Sequence, residues 1–360
     1  MDERLSKLEE LTKYLGLTDK EAEVYAAIYV MGSATVKDLL EALQSIHQPQ
    51  LYNILSSLQR KGFIRVSMGR PKRYTAVNLD ALVETRKARL DSLLREASRV
   101  AEEVRRLKGE VGEGEAYVYM VKGFSGITAS VIETFTSAES EVCAELPLSV
   151  AEEVLGIIES TLKRGVTVYL LVFPRASGEL VSRLSGYGNL KLKEYMLGSF
   201  LLAEADIGRA VYARRRFYST RKQPVPDSEV YGFYIAERDL IWRLLTIWES
   251  LWHESKTLVT WPLEPSSYPK RFLEFGLAVH EVEELLRRGY TPYVYVRGAY
   301  VRSREPVELE GPVVAVRRSP HIWNFTVRVD GEDITVGGND AEIEDVEAEE
   351  TVIKELRRGD

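Results

Sequence analysis

Cysteine is nearly absent from this 360-residue chain, in which Cys143 is the only one. A single thiol excludes an internal disulfide framework and a cysteine-based zinc site. It fits a reducing cytoplasm, the expected compartment. Its flanks, SAESEVCAELP, read as a buried strand, so Cys143 is expected to be a small core hydrophobe rather than a nucleophile. Long apolar runs are missing as well, which excludes a helical membrane span. The opening residues, MDERLSKLEE, are charged and helix-like, unlike the apolar centre of a secretory signal. Histidine is scarce, with only His47, His253, His280 and His321. The remaining composition, 45% hydrophobic and 29% charged, is that of globular protein, and the length predicts two or three domains.

A further absence is local. Residues 42–79 contain no acid and six Lys/Arg, in a chain whose formal net charge is -7. A basic segment on an acidic protein points to a partner that carries phosphates. The surrounding pattern supplies a scaffold. Residues 18–31 open with Thr18-Asp19-Lys20-Glu21, a capping box in which Thr18 takes the amide three residues on and Glu21 reaches back. Val24, Tyr25, Ile28 and Met31 follow at helical spacing, and Gly32 ends the helix. Thr35 caps a second helix with Leu39, Leu40 and Leu43 inward. A third starts near Pro49, where a missing amide costs nothing. It buries Leu51, Ile54, Leu55 and Leu58 and stops at Gly62. Strands at 63–67 and 73–77 flank Met68-Gly69-Arg70-Pro71-Lys72. Three helices and a hairpin make a winged helix-turn-helix over residues 1–78.

On its third helix, Gln50, Asn53 and Ser57 are read as lying opposite the Leu/Ile face, with Gln48 at the start and Tyr52 at the flank. Gln and Asn can bond adenine in the major groove, and Ser tolerates any base. No Arg stands in the first turns, so guanine readout is not expected. Arg60, Lys61, Lys72 and Arg73 are placed for phosphates, and Arg70 for phosphate or minor groove.

Between 79 and 108 there is no Gly or Pro. Positions 83, 86, 90, 93, 97, 100, 104 and 107 carry Val, Arg, Leu, Leu, Ala, Val, Val and Leu, alternating steps of three and four. That is a coiled-coil seam, marred by Arg86, and it predicts a dimerisation helix over 79–110. A pair of modules should read a palindromic operator with half-sites roughly 34 Å apart, or a multiple of that. Glycines 109, 112 and 114 form a joint.

Over 111–258 strands alternate with helices: strand 115–121, helix 124–137, strand 140–146, helix 149–164, strand 166–173, helix 177–185, strands near 190–195, 200–205, 208–213 and 230–236, and helix 237–255. This predicts an α/β domain, with an exposed loop at 223–227. After a second joint at 261–269, residues 259–360 hold one helix (270–288) and short strands at 292–297, 299–302, 312–318, 322–329, 333–336 and 343–352. The expected class is therefore an α+β multidomain chain with a small β-rich C-terminal domain.

LGLTDKEAEVYAAIY, LYNILSSLQRKGFI and GRPKRYTAV together resemble the TrmB family of archaeal transcription regulators. VKGFSGITASVIETFTSAESEV and VYGFYIAERDLIWRLLTIWESLWHES are similar to the two ends of that family's sensor domain, which is phospholipase-D-like. GYTPYVYVRGAYV and ITVGGNDAEIEDVEAEE are similar to its C-terminal effector domain. The resemblance implies a dimeric regulator of sugar transport or metabolism genes whose DNA affinity responds to a mono- or oligosaccharide. It also implies sugar contacts at Gly338, Asn339, Glu342, Ile343 and Glu344, with Asn324 upstream. The chemistry agrees: carboxylate and amide groups hold hydroxyls, glycine admits close approach, and an aromatic face covers the C–H side. Trp323 is the expected face. Trp261, before Pro262, reads as core. The family's frequent basic residue at the start of the recognition helix is replaced by Gln48 and Gln50.

Two other readings compete. An architectural DNA-coating protein would need the winged helix but not the residues after 270. A phospholipase-D-like phosphodiesterase would need His-x-Lys, and no histidine here is followed two residues later by Lys. His253 and Lys256 are expected on one helix face in a structural role. No nucleophile–base set or metal cluster stands out, so no catalytic residue, metal or cofactor is expected.

Overall fold

The computed structural model describes residues 2–43, 45–108, 116–219, 223–319 and 322–358. The glycine joint at 109, 112 and 114 and His321 lie outside the described residues. The chain divides into two compact units, 1–113 and 114–360.

The first unit contains α1 (Asp2–Tyr14), α2 (Asp19–Met31), α3 (Val36–Ala42), α4 (Gln48–Arg60), β1 (Ile64–Val66), β2 (Tyr74–Ala76) and α5 (Leu79–Lys108). Two capping boxes start α2 and α3: Glu21 and Asp38 each accept the amide of the Thr three residues before, both at 2.8 Å. Gly62, at φ +79°, lets the chain leave α4 and enter the hairpin. Tyr25, Ile28, Leu39, Leu51, Leu55, Leu58 and Phe63 close the core. The Tyr25 ring meets Phe63 edge-on at 5.6 Å, and its hydroxyl donates to the Val77 carbonyl at 2.7 Å. Met31, expected inward, is exposed, because the last turn of α2 runs past the core.

The second unit contains β3 (Tyr117–Lys122), α6 (Gly123–Ser137), β4 (Glu141–Pro147), α7 (Leu148–Glu153), α8 (Leu155–Lys163), β5 (Thr167–Phe173), α9 (Gly178–Leu184), β6 (Leu190–Glu194), β7 (Phe200–Ala205), β8 (Arg209–Arg214), β9 (Tyr231–Ala236), α10 (Arg238–Glu254), β10 (Lys256–Val259), β11 (Lys270–Phe272), α11 (Phe275–Arg287), β12 (Tyr290–Tyr300), β13 (Pro306–Ser319), β14 (Ile322–Val329), β15 (Glu332–Gly337) and β16 (Val346–Arg358). Eight strands form one mixed sheet in the order β10-β6-β5-β4-β7-β8-β9-β3, with β4, β5 and β6 parallel. Strand alternation divides its side chains between two cores. Val142, Ala144, Val168 and Leu170 pack with residues of α6, α8 and α9. Cys143, Tyr169 and Leu171 pack on the other side with α10, α11 and the C-terminal strands.

Those C-terminal strands close on themselves. β16 pairs with β12 along its length and, on its other edge, with β15 at Val336↔Val346 and with β11. The ring β16-β12-β13-β14-β15 is packed by α11. Four expectations change here. The helix expected at 149–164 breaks at Val154 into α7 and α8. The strands expected at 292–297 and 299–302 are one strand, β12. Lys256, expected on a helix, and residues 257–259, given no element by the sequence, form β10 against β6. The helix expected from 270 starts at Phe275, because the Glu274 side chain caps the Leu277 amide at 2.8 Å while 270–272 pair with β16.

Candidate DNA interface and effector loop

With Leu51, Ile54, Leu55 and Leu58 inward, α4 turns Tyr52, Asn53, Ser56, Gln59 and Arg60 to solvent. At 3.6 residues per turn the outward face centres on Pro49, Asn53, Ser56 and Arg60. Asn53 lies on it, with exposed Gln48 and Tyr52 alongside. Gln50 and Ser57 stand about a quarter turn aside and are half-buried.

Ser57 and Lys61 have partners within the unit. The Ser57 hydroxyl donates to Glu21 Oε1 at 2.6 Å. The Lys61 ammonium donates to Glu21 Oε2 at 2.7 Å and to the Gly16 carbonyl at 3.0 Å. Burial alone would raise the Glu21 pKa. Hydrogen bonds from Lys61, Ser57 and Thr18 outweigh it and hold the carboxyl at about 2. Both side chains therefore brace α4 against α2, Ser57 half-buried and Lys61 still exposed.

In the hairpin, Arg70, Lys72 and Arg73 are exposed, as is Met68 near the tip. The Arg73 amide donates to Ser67 Oγ at 2.9 Å, tightening the turn. Two exposed residues escaped the sequence reading. Ser56 would have followed from a stricter helical projection. Arg65 sits opposite Thr75 in the hairpin, exposed between inward-leaning Ile64 and Val66, a strand alternation visible in the sequence.

In the second unit, Asn324 on β14 stands beside Gly337 on β15 and donates through Nδ2 to Glu344 Oε1 at 2.9 Å. Residues 338–345 loop from β15 back to β16. Asn339, Glu342 and Ile343 on that loop are exposed, Ile343 by 68%. The glycines here answer to packing. A Cβ on Gly337 would meet Ala341 and Glu344 at 2.9 Å, and one on Gly338 would meet Phe275 at 2.9 Å. Asp340 ties the loop to α10 through Arg243 at 3.2 Å.

Trp323 does not join this group. As the strand neighbour of Asn324 it points to the opposite side. Its ring is taken by the Arg318 guanidinium at 4.3 Å and by His253 at 5.0 Å. Trp261 is 2% exposed, and its Nε1 donates to Glu281 at 2.8 Å.

Three family models match successive parts of the chain. "Sugar-specific transcriptional regulator TrmB" matches residues 11–80, "Transcriptional regulator TrmB, EBD N-terminal subdomain" matches 117–259, and "TrmB/TrmBL1, EBD C-terminal subdomain" matches 267–356. The chain belongs to the TrmB family. Within the TrmB family it is 26% identical over 349 residues to the HTH-type sugar sensing transcriptional regulator TrmBL1 of Pyrococcus furiosus, covering 96% of this chain and 98% of that protein. A solved structure of TrmBL2, described as an archaeal chromatin protein with a novel mode of DNA binding, is similar over 70% of this chain and 98% of that one, with 19% identity and a TM-score of 0.38. Nuc from Salmonella typhimurium, a phospholipase D family member, is similar over 41% of this chain and 100% of that one, with 14% identity and a TM-score of 0.33. Scores this low bear no functional weight.

His253 and Lys256 of this TrmB-family chain do not share a helix face as expected. α10 ends at Glu254, and Lys256 opens β10, where it pairs with Glu194 at 3.0 Å. His253 stacks on His280 at 4.7 Å, and burial holds both imidazoles neutral, at about 3 and about 4. Among the described residues no cluster of His, Cys, Asp or Glu could hold a metal, and no described helix is long and apolar enough to cross a membrane.

Proposed function

We propose that the protein is a sequence-specific DNA-binding transcriptional regulator that works as a homodimer on a palindromic operator and changes its DNA affinity when a sugar binds. It acts without catalysis, on sugar transport or metabolism genes, in the cytoplasm. The observation that carries this reading is the winged-helix unit, in which Asn53 and Arg60 on α4 and Arg65, Arg70, Lys72 and Arg73 on the hairpin are all exposed. Tyr52, Gln48 and the half-buried Gln50 complete the candidate base-reading set, and the cations take phosphates. The sugar is held by Asn324 and Glu344, with Asn339, Glu342 and Ile343 of the same loop around it and Gly338 shaping the loop. A sugar that accepts from the Asn324 amide and donates hydroxyl hydrogens to Glu344 pulls on a loop tied to α10 through Asp340 and Arg243. The architectural reading is weakened by the effector subdomain matched over 267–356.

Coupling of two ligands is reciprocal. A sugar that lowers operator affinity by some factor must bind the operator-bound protein more weakly by that same factor. The test is a thermal-shift screen of mono- and disaccharides, then calorimetry of the best one with and without operator. We expect a positive shift that Glu344→Ala abolishes, and unequal sugar affinities in the two states. Equal affinities would remove the switch, and a shift retained in Glu344→Ala would move the sugar elsewhere.

A further inference from the structure

A cavity of about 400 Å³ lies in the second unit and shares no lining residue with the effector loop. Tyr169 of β5 and Lys191 and Lys193 of β6 border one side. Trp252, Trp261 and the α11 face of His280, Glu281 and Glu284 border the rest, with Arg288 at the end of that helix. Its charges do not balance. Glu281 is 1% exposed and fully engaged: it accepts from Lys191, from Trp261 Nε1 at 2.8 Å and from the Tyr268 hydroxyl at 2.7 Å. That cancels Lys191. Glu284 is paired with Arg287 at 2.7 Å.

Lys193 has no such partner. It is 8% exposed, and its ammonium donates to the Trp252 carbonyl at 2.8 Å and lies 4.7 Å from the centre of that indole. Among the described residues no carboxylate pairs with it. A buried cation with donors to spare is costly unless an anion meets it. Tyr169 adds a second spare donor, since its hydroxyl is buried without a hydrogen-bond partner. Burial and Lys191 lower the Lys193 pKa to about 8, which leaves it charged at neutral pH. The wall thus offers donors in excess and two indoles, in a volume suited to a small metabolite.

We infer that this cavity binds a small anionic sugar derivative, a phosphorylated or carboxylated polyol, as an effector separate from the neutral sugar assigned to Glu344. The anionic group meets Lys193 and Tyr169, and Arg288 stands at the rim. The acceptor-rich ligand supplies the oxygens that the wall lacks.

The test titrates the full-length protein with glucose 6-phosphate, gluconate, glucose and inorganic phosphate at constant ionic strength, by calorimetry and thermal shift. At least one of the two anionic sugars should bind and raise Tm. Lys193→Met should weaken that binding at least tenfold and, with its buried charge gone, melt no lower than wild type without ligand. Tyr169→Phe should weaken binding several-fold, and Glu344→Gln should leave it unchanged. Absence of binding by both anions at millimolar concentration, or equal affinity in Lys193→Met, overturns the site. Loss of anion binding in Glu344→Gln also overturns it, by placing the anion in the effector loop. Inorganic phosphate binding as tightly as glucose 6-phosphate overturns the sugar assignment. Anion binding that needs Lys193 in a protein that ignores every neutral sugar would sink the Glu344 proposal and leave this one standing.

Discussion

Glu21 serves two structures at once: it closes the first turn of α2 and anchors α4 through Ser57 and Lys61. The cap was legible because its partner is three residues away. The anchor was not, because its partners lie 36 and 40 residues on. Glu21→Gln should destabilise the winged-helix unit by about 2 kcal/mol, the scale of a charged, partly buried hydrogen-bond set. Its pKa of about 2 lies below the ordinary 4.5. The stabilisation is therefore complete above pH 4.5 and lost as pH falls towards 2. Denaturant melts should show that acid slope in wild type and a flatter one in Glu21→Gln; equal slopes would remove Glu21 from the account. The DNA contacts separate by chemistry. Arg70→Ala and Lys72→Ala should each weaken binding to every sequence and reduce the salt slope by about 1. Asn53→Ala should instead relax base preference. Equal loss on operator and random DNA would mean that Asn53 reads no base.

Among the elements, α5 carries the clearest unsatisfied demand. Val83, Leu90, Leu93 and Val100, four of the seam positions, are exposed by 44 to 57% in the single chain. Arg86, the defect in the seam, places its guanidinium 5.9 Å from the Phe63 ring of the winged helix and so has a use outside the seam. Leu93→Asp should turn the proposed dimer into a monomer in sedimentation and lower operator affinity by a hundredfold or more, while the helical circular dichroism of the rest persists. A dimer that survives Leu93→Asp is held together elsewhere. The strands were harder to read than the helices. β10 and β11 are four and three residues long, too short for periodicity to show, and they exist because β6 and β16 offer free edges. α11 begins where Glu274 can cap it, and neither the cap nor the neighbouring strand shows as apolar spacing.

In the protein as a whole, the two units should respond to pH in opposite directions. The second unit buries carboxyls on β4. Burial pushes Glu141 up to about 8 and Glu145 to about 7. Groups whose folded pKa is raised hold protons that the unfolded chain releases. Their contribution is therefore complete below pH 4.5 and is lost as pH climbs towards 8. Calorimetry between pH 6.5 and 8, above the range in which the buried His253 and His280 act in the opposite sense, should show the transition of this unit moving to lower temperature, with no comparable change in the winged-helix unit. A pH-independent second transition would mean that these carboxyls are ionised in the fold. The effector group was only partly legible. Asn324 and Glu344 do meet, but Trp323 left the group because strand alternation sends it to the other side, where Arg318 and His253 cover it.

Local interactions wrote the winged helix, its caps and the long seam into the order of residues, since each depends on partners within a turn or two of helix. The absence of acids from 42–79 likewise needed no coordinates to be read. Folding settled what depends on distant partners: the anchoring of Ser57 and Lys61 on Glu21, the closure of the C-terminal strands into a ring, and the gathering of Tyr169 and Lys193 around one cavity. Those contacts join segments that no periodic pattern relates, and burial in a shared core is what brings them together.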